Sequence, residues 1–227
     1  MVTVAPPLRS IRKMIKTIVL IDDHPIVREG LANLLNAVGS YKVVGESGTA
    51  PEGLEAIRAL KPDVALVDLM LNNSLALGLI EQSTQECPNT KVICVSMHSD
   101  AAYAQPVALA GASGYINKAN ASKTILDAID VVLRGELYFP KEVHQNFLDS
   151  VRGVKSASTQ LMALSSREIE ILQWIGHGLT KHQIAERINR SANTVEAHRS
   201  NIKRKLGLQS NAELIRFAAL NLPSASV

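Results

Sequence analysis

The sequence predicts an α/β fold, a five-stranded parallel doubly wound sheet, followed by an all-α unit of four helices in helix-turn-helix order. Three observations predict it. Short apolar, β-rich runs recur up to residue 134 with helix-length segments between them, the pattern of parallel strands joined by crossover helices. Beyond residue 164 the strand runs stop and helix-start signals repeat instead. The charge balance changes in the same region: residues 155–227 hold 10 Lys and Arg against 5 Asp and Glu, whereas residues 1–154 hold 14 against 16.

The elements follow in order. Residues 1–14, with Pro6-Pro7 and the basic Arg9, Arg12 and Lys13, read as a disordered extension. Met14 stands just before the first strand and is the expected native start. Strands are expected near 17–21, 42–46, 63–67, 91–95 and 114–116. Helices are expected near 25–37, 50–60, 75–86, 105–111 and 121–134. Pro25 suits a first helical turn, where its missing N–H costs nothing. Pro106 costs about 3 kcal/mol inside a helix, so the fourth helix is expected to start near Gln105. These elements form a first domain over 15–134. Residues 135–163 read as a linker carrying a short helix over 140–150, opened by Pro140, and a flexible Ser-rich stretch, 155–159.

Residues 164–227 form the second domain, and its helix starts are written in caps. Ser165…Glu168 is a capping box, with Leu164 and Ile169 placed as a hydrophobic staple; Thr180…Gln183 and Ser210…Glu213 repeat the box. Ser191 caps a third helix that runs to Leu206 and stops at Gly207.

Composition excludes several classes. At 227 residues, 46% hydrophobic and 20% charged, the chain suits a globular protein of two compact domains or one large one. No apolar run reaches the roughly 18 residues needed to cross a bilayer, and the N-terminal segment lacks the apolar core of a secretory signal. Cys87 and Cys94 have no metal-ligand spacing and read as reduced packing residues of a cytoplasmic protein.

The chemistry lies where the strands end. Thr17–Ile21 runs into Asp22-Asp23, Val64–Val67 into Asp68, Val92–Val95 into Ser96, and Gly114–Asn117 into Lys118. Parallel strands share one C-terminal edge, and ligands bind there. Three carboxylates, a hydroxyl and an ammonium are therefore expected to converge. A carboxylate can attack a phosphoryl group and hold it as an acyl phosphate. Oxygen ligands of this kind suit Mg2+, and a lysine can neutralise a phosphate oxygen. Each residue alone has an ordinary alternative: helix cap for Asp22-Asp23, strand end for Asp68, loop for Ser96, surface for Lys118.

Together these residues resemble the receiver domain of two-component response regulators, a flavodoxin-like fold. The resemblance covers about residues 15–134. It implies Asp68 as phosphoacceptor; Asp22, Asp23, Asp68 and the Met70 backbone carbonyl as Mg2+ ligands; and Ser96, Tyr115 and Lys118 as the residues that respond to the phosphoryl group. There is one departure. The family usually reads D-x-x-M-P-x-x-D/N-G after the third strand. Here the run is Asp68-Leu69-Met70-Leu71-Asn72-Asn73-Ser74-Leu75-Ala76-Leu77-Gly78, without the proline and with the glycine two residues late. The loop is expected to be longer or differently shaped. An aspartate-based phosphohydrolase needs an acid two residues after its nucleophile, and Met70 occupies that place, so the chain is not expected to be an enzyme.

In the second domain, two short helices, a tight turn and a longer basic helix give a helix-turn-helix order. Arg199, Lys203, Arg204 and Lys205 can neutralise DNA phosphates. The residues Leu164-Ser165-Ser166-Arg167-Glu168, Gly178-Leu179-Thr180-Lys181, Ile184-Ala185, Ser191-Ala192-Asn193-Thr194-Val195-Glu196-Ala197-His198 and Asn201-Ile202-Lys203-Arg204-Lys205-Leu206 resemble the LuxR-type helix-turn-helix. With the receiver, this resembles the NarL/FixJ class over nearly the whole chain. The resemblance implies base-facing Glu196, Ala197, Arg199 and Ser200, and phosphate contacts from Lys181, Thr194, His198 and Lys203. Glu196 could instead stabilise its helix N-terminus, and His198 could simply pack. Leu214, Phe217 and Ala218 on the last helix fall on the family's dimer surface or in ordinary core.

The expected function is a cytoplasmic transcription regulator, phosphorylated at Asp68 by a sensor histidine kinase, with receiver and helix 191–206 separating as it dimerises on double-stranded DNA. The alternative is a DNA-binding regulator with a degenerate receiver that works without phosphorylation. The altered loop keeps that alternative open.

Overall fold

The computed structural model of the protein describes residues 14–72, 74–97, 101–141, 143, 160–161 and 163–222. The extension before Met14, most of the helix expected over 140–150 and the Ser-rich stretch 155–159 lie outside the described residues.

The N-terminal part alternates β1 (Lys16–Ile21), α1 (Pro25–Ala37), β2 (Tyr41–Ser47), α2 (Ala50–Leu60) and β3 (Val64–Asp68). A short hairpin of β4 (Met70–Leu71) and β5 (Ser74–Leu75) leads into α3 (Leu77–Glu86), β6 (Lys91–Ser96), α4 (Ala101–Leu109), β7 (Gly114–Asn117) and α5 (Ala121–Leu133). The sheet order is β2-β1-β3-β6-β7, with every described pairing in that sheet parallel.

The strands send alternate residues to opposite faces, as the two-residue period requires. Val19, Ile21, Ala65, Val67, Val92 and Cys94 face α2, α3 and α4, whereas Ile18, Leu20, Val64, Leu66, Ile93 and Val95 face α1 and α5. All are buried, which explains their near-continuous apolar character. Gly53 lets α2 settle on β1: a Cβ there would lie 2.6 Å from Ile21 Cδ1. Thr49 caps α2, accepting from the Glu52 amide at 3.4 Å, and the helix stops at Lys61 in the left-handed region, φ 43°, ahead of Pro62. Cys94 is fully buried in β6, and burial pushes its thiol pKa well up, as suits a packing residue.

Two elements differ from the sequence expectation. Helix α4 starts at Ala101 and holds Pro106 inside it, rather than starting near Gln105. The proline falls in the second turn, so it forgoes only one backbone bond. The ladder resumes with the Ala110 amide donating to the Pro106 carbonyl at 2.9 Å. Burial of Tyr103, Ala104 and Val107 against the sheet offsets the cost. Helix α3 begins at Leu77, two residues late, because Ser74 and Leu75 pair antiparallel with Leu71 and Met70.

The C-terminal helices are α6 (Ser166–Gly176), α7 (Lys181–Arg187), α8 (Ala192–Leu206) and α9 (Asn211–Asn221). Capping boxes at Ser165/Glu168 and Thr180/Gln183 are complete. Ser191 and Ser210 cap α8 and α9. At Ser210 the box is only half formed, since Glu213 accepts from the Gln209 amide instead, at 2.8 Å. Gly207 ends α8 in the left-handed region, φ 69°.

Candidate phosphoryl pocket and nucleic-acid interface

The strand order reverses between β1 and β3, and the acidic residues stand at that switch point. Asp22 follows β1, Asp68 closes β3, and Lys118 follows β7. Lys118 Nζ lies 2.7 Å from Asp22 Oδ2 and 2.6 Å from Asp68 Oδ2, with all three side chains nearly closed to solvent. Burial pushes Asp68 up to about 6, against the pull of the Lys118 hydrogen bond and charge. Burial alone would lower the Lys118 ammonium, but its hydrogen bonds to Asp22 and Asp68 outweigh it and the net shift is upward.

The remaining oxygens are partly spoken for. Asp22 Oδ1 accepts from the His24 amide at 2.9 Å, so the turn role of the acidic pair coexists with its place in the pocket. Asp68 Oδ1 accepts from the Met70 amide at 3.3 Å. Asp23 Oδ2 accepts from the Asn72 amide at 2.9 Å. Asp23 Oδ1 is buried and lies 2.8 Å from His24 Nδ1. Three carboxylates gathered at one edge fit a bound cation that takes oxygen ligands. Asp22, Asp23, His24 and Asp68 each offer a ligand atom within 4.8 Å of the others, an acidic cluster able to hold a metal ion.

Ser96 pairs with Asn117, the residue before Lys118, and follows Val95, the partner of Asp68. It is buried, as is Tyr115, which sits on the α2–α4 face of the sheet. In the unusual run after Asp68, β4 pairs antiparallel with β5. Asn72 takes the left-handed region there, φ 50°, a conformation Asn tolerates. The Ala76 amide closes the hairpin onto the Leu69 carbonyl at 2.8 Å. Asn72 folds back to Asp23 and Gly48, and Leu69, Leu71, Leu75 and Leu77 stay buried.

On α8, Val195, Ile202 and Leu206 are buried and anchor the helix. Glu196, Ser200 and Lys203 follow at i, i+4 and i+7 along the flank, with exposed Ala197 beside them. Arg199 lies between that face and the core, and its Nε is buried without a partner. His198 falls across the buried stripe from Glu196 and is half-buried. Lys181 is exposed at the start of α7, and Thr194 is half-buried, with its amide donating to Ser191 Oγ at 3.1 Å. Lys205 turns inward to Glu168, 2.6 Å away, and ties α8 to α6. Burial opposes ionisation of Glu168, yet the Lys205 and Ser165 hydrogen bonds hold its carboxyl below the usual range.

Residues 18–130 match the response regulator receiver domain family, and residues 162–218 match the bacterial regulatory proteins of the luxR family. The transcriptional regulatory protein MctR of Rhizobium johnstonii is 36% identical over 203 residues, covering 88% of this chain and 92% of MctR. The chain belongs to the response regulators that join a receiver to a LuxR-type DNA-binding domain. The oxygen regulatory protein NreC of Staphylococcus aureus is also 36% identical, over 208 residues, covering 88% of this chain and 95% of NreC. Among solved structures, a LuxR-family two-component response regulator from Aurantimonas is 30% identical, with a TM-score of 0.55, over 60% of this chain and 98% of that one. RcsB of Salmonella enterica serovar Typhimurium, solved on promoter rprA, shares the fold with a TM-score of 0.65 at 23% identity, over 90% of this chain and 98% of its own.

The receiver and the DNA-binding domain meet through α3, the β4–β5 hairpin and α6. Ser166 Oγ donates to Glu81 Oε2 at 2.8 Å, and Gln173 Nε2 donates to Met70 Sδ at 3.4 Å. The described interdomain hydrogen bonds therefore reach α6, not the basic helix α8 that the resemblance places under the receiver. Leu214 and Ala218 of α9 are fully buried core, while Ile215 and Leu220 are exposed large apolar residues there. Sequence reasoning passed over His24 and Asn72. The first adjoins the acidic pair; the second needed the hairpin to bring it 49 residues back to Asp23.

Proposed function

We propose that this response regulator is switched by phosphorylation of Asp68 and, when switched, binds double-stranded DNA as a dimer to control transcription in the bacterial cytoplasm. The observation that carries the reading is the contact of Lys118 with both Asp68 and Asp22 at the sheet's ligand edge. A sensor histidine kinase supplies the phosphoryl group. An Asp68 oxygen bonds to phosphorus, the P–N bond of phosphohistidine breaks, and the imidazole leaves with the electron pair and takes a proton. Lys118 is placed to neutralise a phosphoryl oxygen, and Ser96 to hydrogen-bond another. Tyr115 moves with Ser96.

Asp22, Asp23, Asp68 and the Met70 carbonyl would hold Mg2+, which when bound neutralises charge on the phosphoryl oxygens. The gathering of the three carboxylates within 4.8 Å supports that assignment. Met70 also meets Gln173 through its side chain, so a change in the pocket has a short path to α6.

For DNA, Glu196, Ala197, Arg199 and Ser200 would face bases while Lys181, Thr194, His198 and Lys203 contact phosphates, the half-buried His198 doing so from the edge of the core. The receiver that works without phosphorylation is the second reading. It rested on the altered loop; Asp68 and Lys118 are in contact beside that loop, which favours the first.

Operator binding by the wild-type chain, with and without an acyl-phosphate donor and Mg2+, tests the proposal beside Asp68→Asn. Tighter binding on phosphorylation, absent in D68N, is expected. Equal affinity in all four conditions would reject the switch.

A further inference from the structure

Asn72 is the residue through which the altered loop reaches the pocket. It stands four places after Asp68, where the family pattern has proline. Proline holds φ at about −65° and carries no N–H. Asn72 differs on both counts. Its backbone is left-handed, φ 50°, and its amide donates to Asp23 Oδ2 at 2.9 Å.

A second contact anchors that donor. Asn72 Nδ2 donates to the Gly48 carbonyl at 3.3 Å, in the turn after β2. The neighbouring Ser47 carbonyl accepts from the Asp22 amide at 3.0 Å. Asn72 is thus tied to the same turn that holds Asp22. The other Asp23 oxygen, Oδ1, lies 2.8 Å from His24 Nδ1. These contacts hold the carboxylate without exhausting it, since its two oxygens offer about four lone-pair sites. A carboxylate already held in one orientation gives up less freedom when it binds a cation. Hydrogen-bond partners behind a metal ligand set metal affinity by about 10–100-fold.

We infer that Asn72 is a positioning residue: its backbone N–H orients the Asp23 carboxylate for a divalent cation, a role that a proline there could not fill. The inference rests on the metal-assisted receiver reading and deepens it. The altered loop supplies the pocket with a donor instead of degrading it. A loop with no part in the site would leave this amide to solvent; it reaches back 49 residues to a pocket carboxylate instead.

The test uses the full-length protein. Hydrogen exchange of the Asn72 amide is measured in EDTA. Mg2+ is titrated calorimetrically into wild type, Asn72→Pro and Asn72→Gly, and labelling by acetyl phosphate is followed against Mg2+ concentration. The wild-type amide is expected to exchange more slowly than an unpaired turn amide. Asn72→Pro removes the N–H and the left-handed backbone. It is expected to weaken Mg2+ binding about tenfold or more, and to raise the half-saturating Mg2+ for labelling in step while the maximal rate holds. Asn72→Gly keeps the N–H and enters the left-handed region freely, so it is expected to recover the affinity. Exchange of the wild-type amide at the unpaired rate, wild-type Mg2+ affinity in N72P, or an equal loss in N72G overturns the Asn72 assignment and leaves the receiver reading intact. Failure of the wild type to bind Mg2+ overturns both.

Discussion

Lys118 Nζ stands 2.6 Å from Asp68 Oδ2, in a pocket where neither side chain is more than 7% exposed. The ammonium compensates two buried carboxylates at once, since it also meets Asp22. Removing one partner of a buried charged pair leaves the other uncompensated, at a cost of about 3–5 kcal/mol. Lys118→Met should therefore lower stability by that order in EDTA, read from urea denaturation. A change under 1 kcal/mol would mean the carboxylates are better solvated than their burial implies.

The position of Asp68 sets a pH dependence. Its folded pKa, about 6, lies above the ordinary carboxylate value, chiefly through burial. A raised folded pKa means the native state binds the proton more tightly. That contribution is present below the unfolded pKa and is lost as pH rises through the folded one. In EDTA, the stability of D68N relative to wild type should therefore grow between pH 4 and 7, by up to about 3 kcal/mol at 1.36 kcal/mol per pKa unit. The upward-shifted Lys118 stays charged throughout this window. A pH-independent difference would contradict the burial argument.

Gly53 tests the packing beneath the pocket. An alanine would gain about 1 kcal/mol of helix propensity. It would also meet Ile21 at 2.6–3.0 Å, and overpacking of a tight core costs about 1–3 kcal/mol. Gly53→Ala should lower Tm despite the better helix former. A raised Tm would show that α2 can back away from β1 freely.

The domain seam makes its own prediction. Glu81→Ala removes the acceptor for Ser166 and should raise amide exchange at the start of α6, with a similar rise when a phosphoryl mimic is added to the wild type. Unchanged exchange in both cases would remove the α3–α6 seam from the switch.

On DNA, Arg199→Ala should weaken operator binding by about 1–3 kcal/mol and relax one base position. Lys203→Ala should weaken all sequences alike and reduce the salt slope by about 1. Equal losses on operator and random DNA for Arg199→Ala would mark it as a phosphate contact.

Much of this was legible in the sequence because local chemistry and tertiary role agreed. Helices α1 and α2 occupy the residues expected, 25–37 and 50–60, and the capping boxes at Ser165 and Thr180 formed as written. The strand-end rule brought Asp22, Asp68 and Lys118 together from three distant segments. It failed where tertiary packing overrode propensity. Pro106 sits inside α4 because Tyr103 and Val107 have a sheet to cover. The hairpin after Asp68 was unreadable because its pairing depends on burying Leu71 and Leu75, not on a turn motif. Lys205 looked like a DNA contact until the fold showed its partner, Glu168.

The most direct measurement is the intact and peptide mass of the protein after incubation with an acyl-phosphate donor and Mg2+. The account predicts one added phosphoryl group, localised to Asp68 and absent from D68N. Phosphorylation of D68N to the same extent, or none on the wild-type chain, would contradict it.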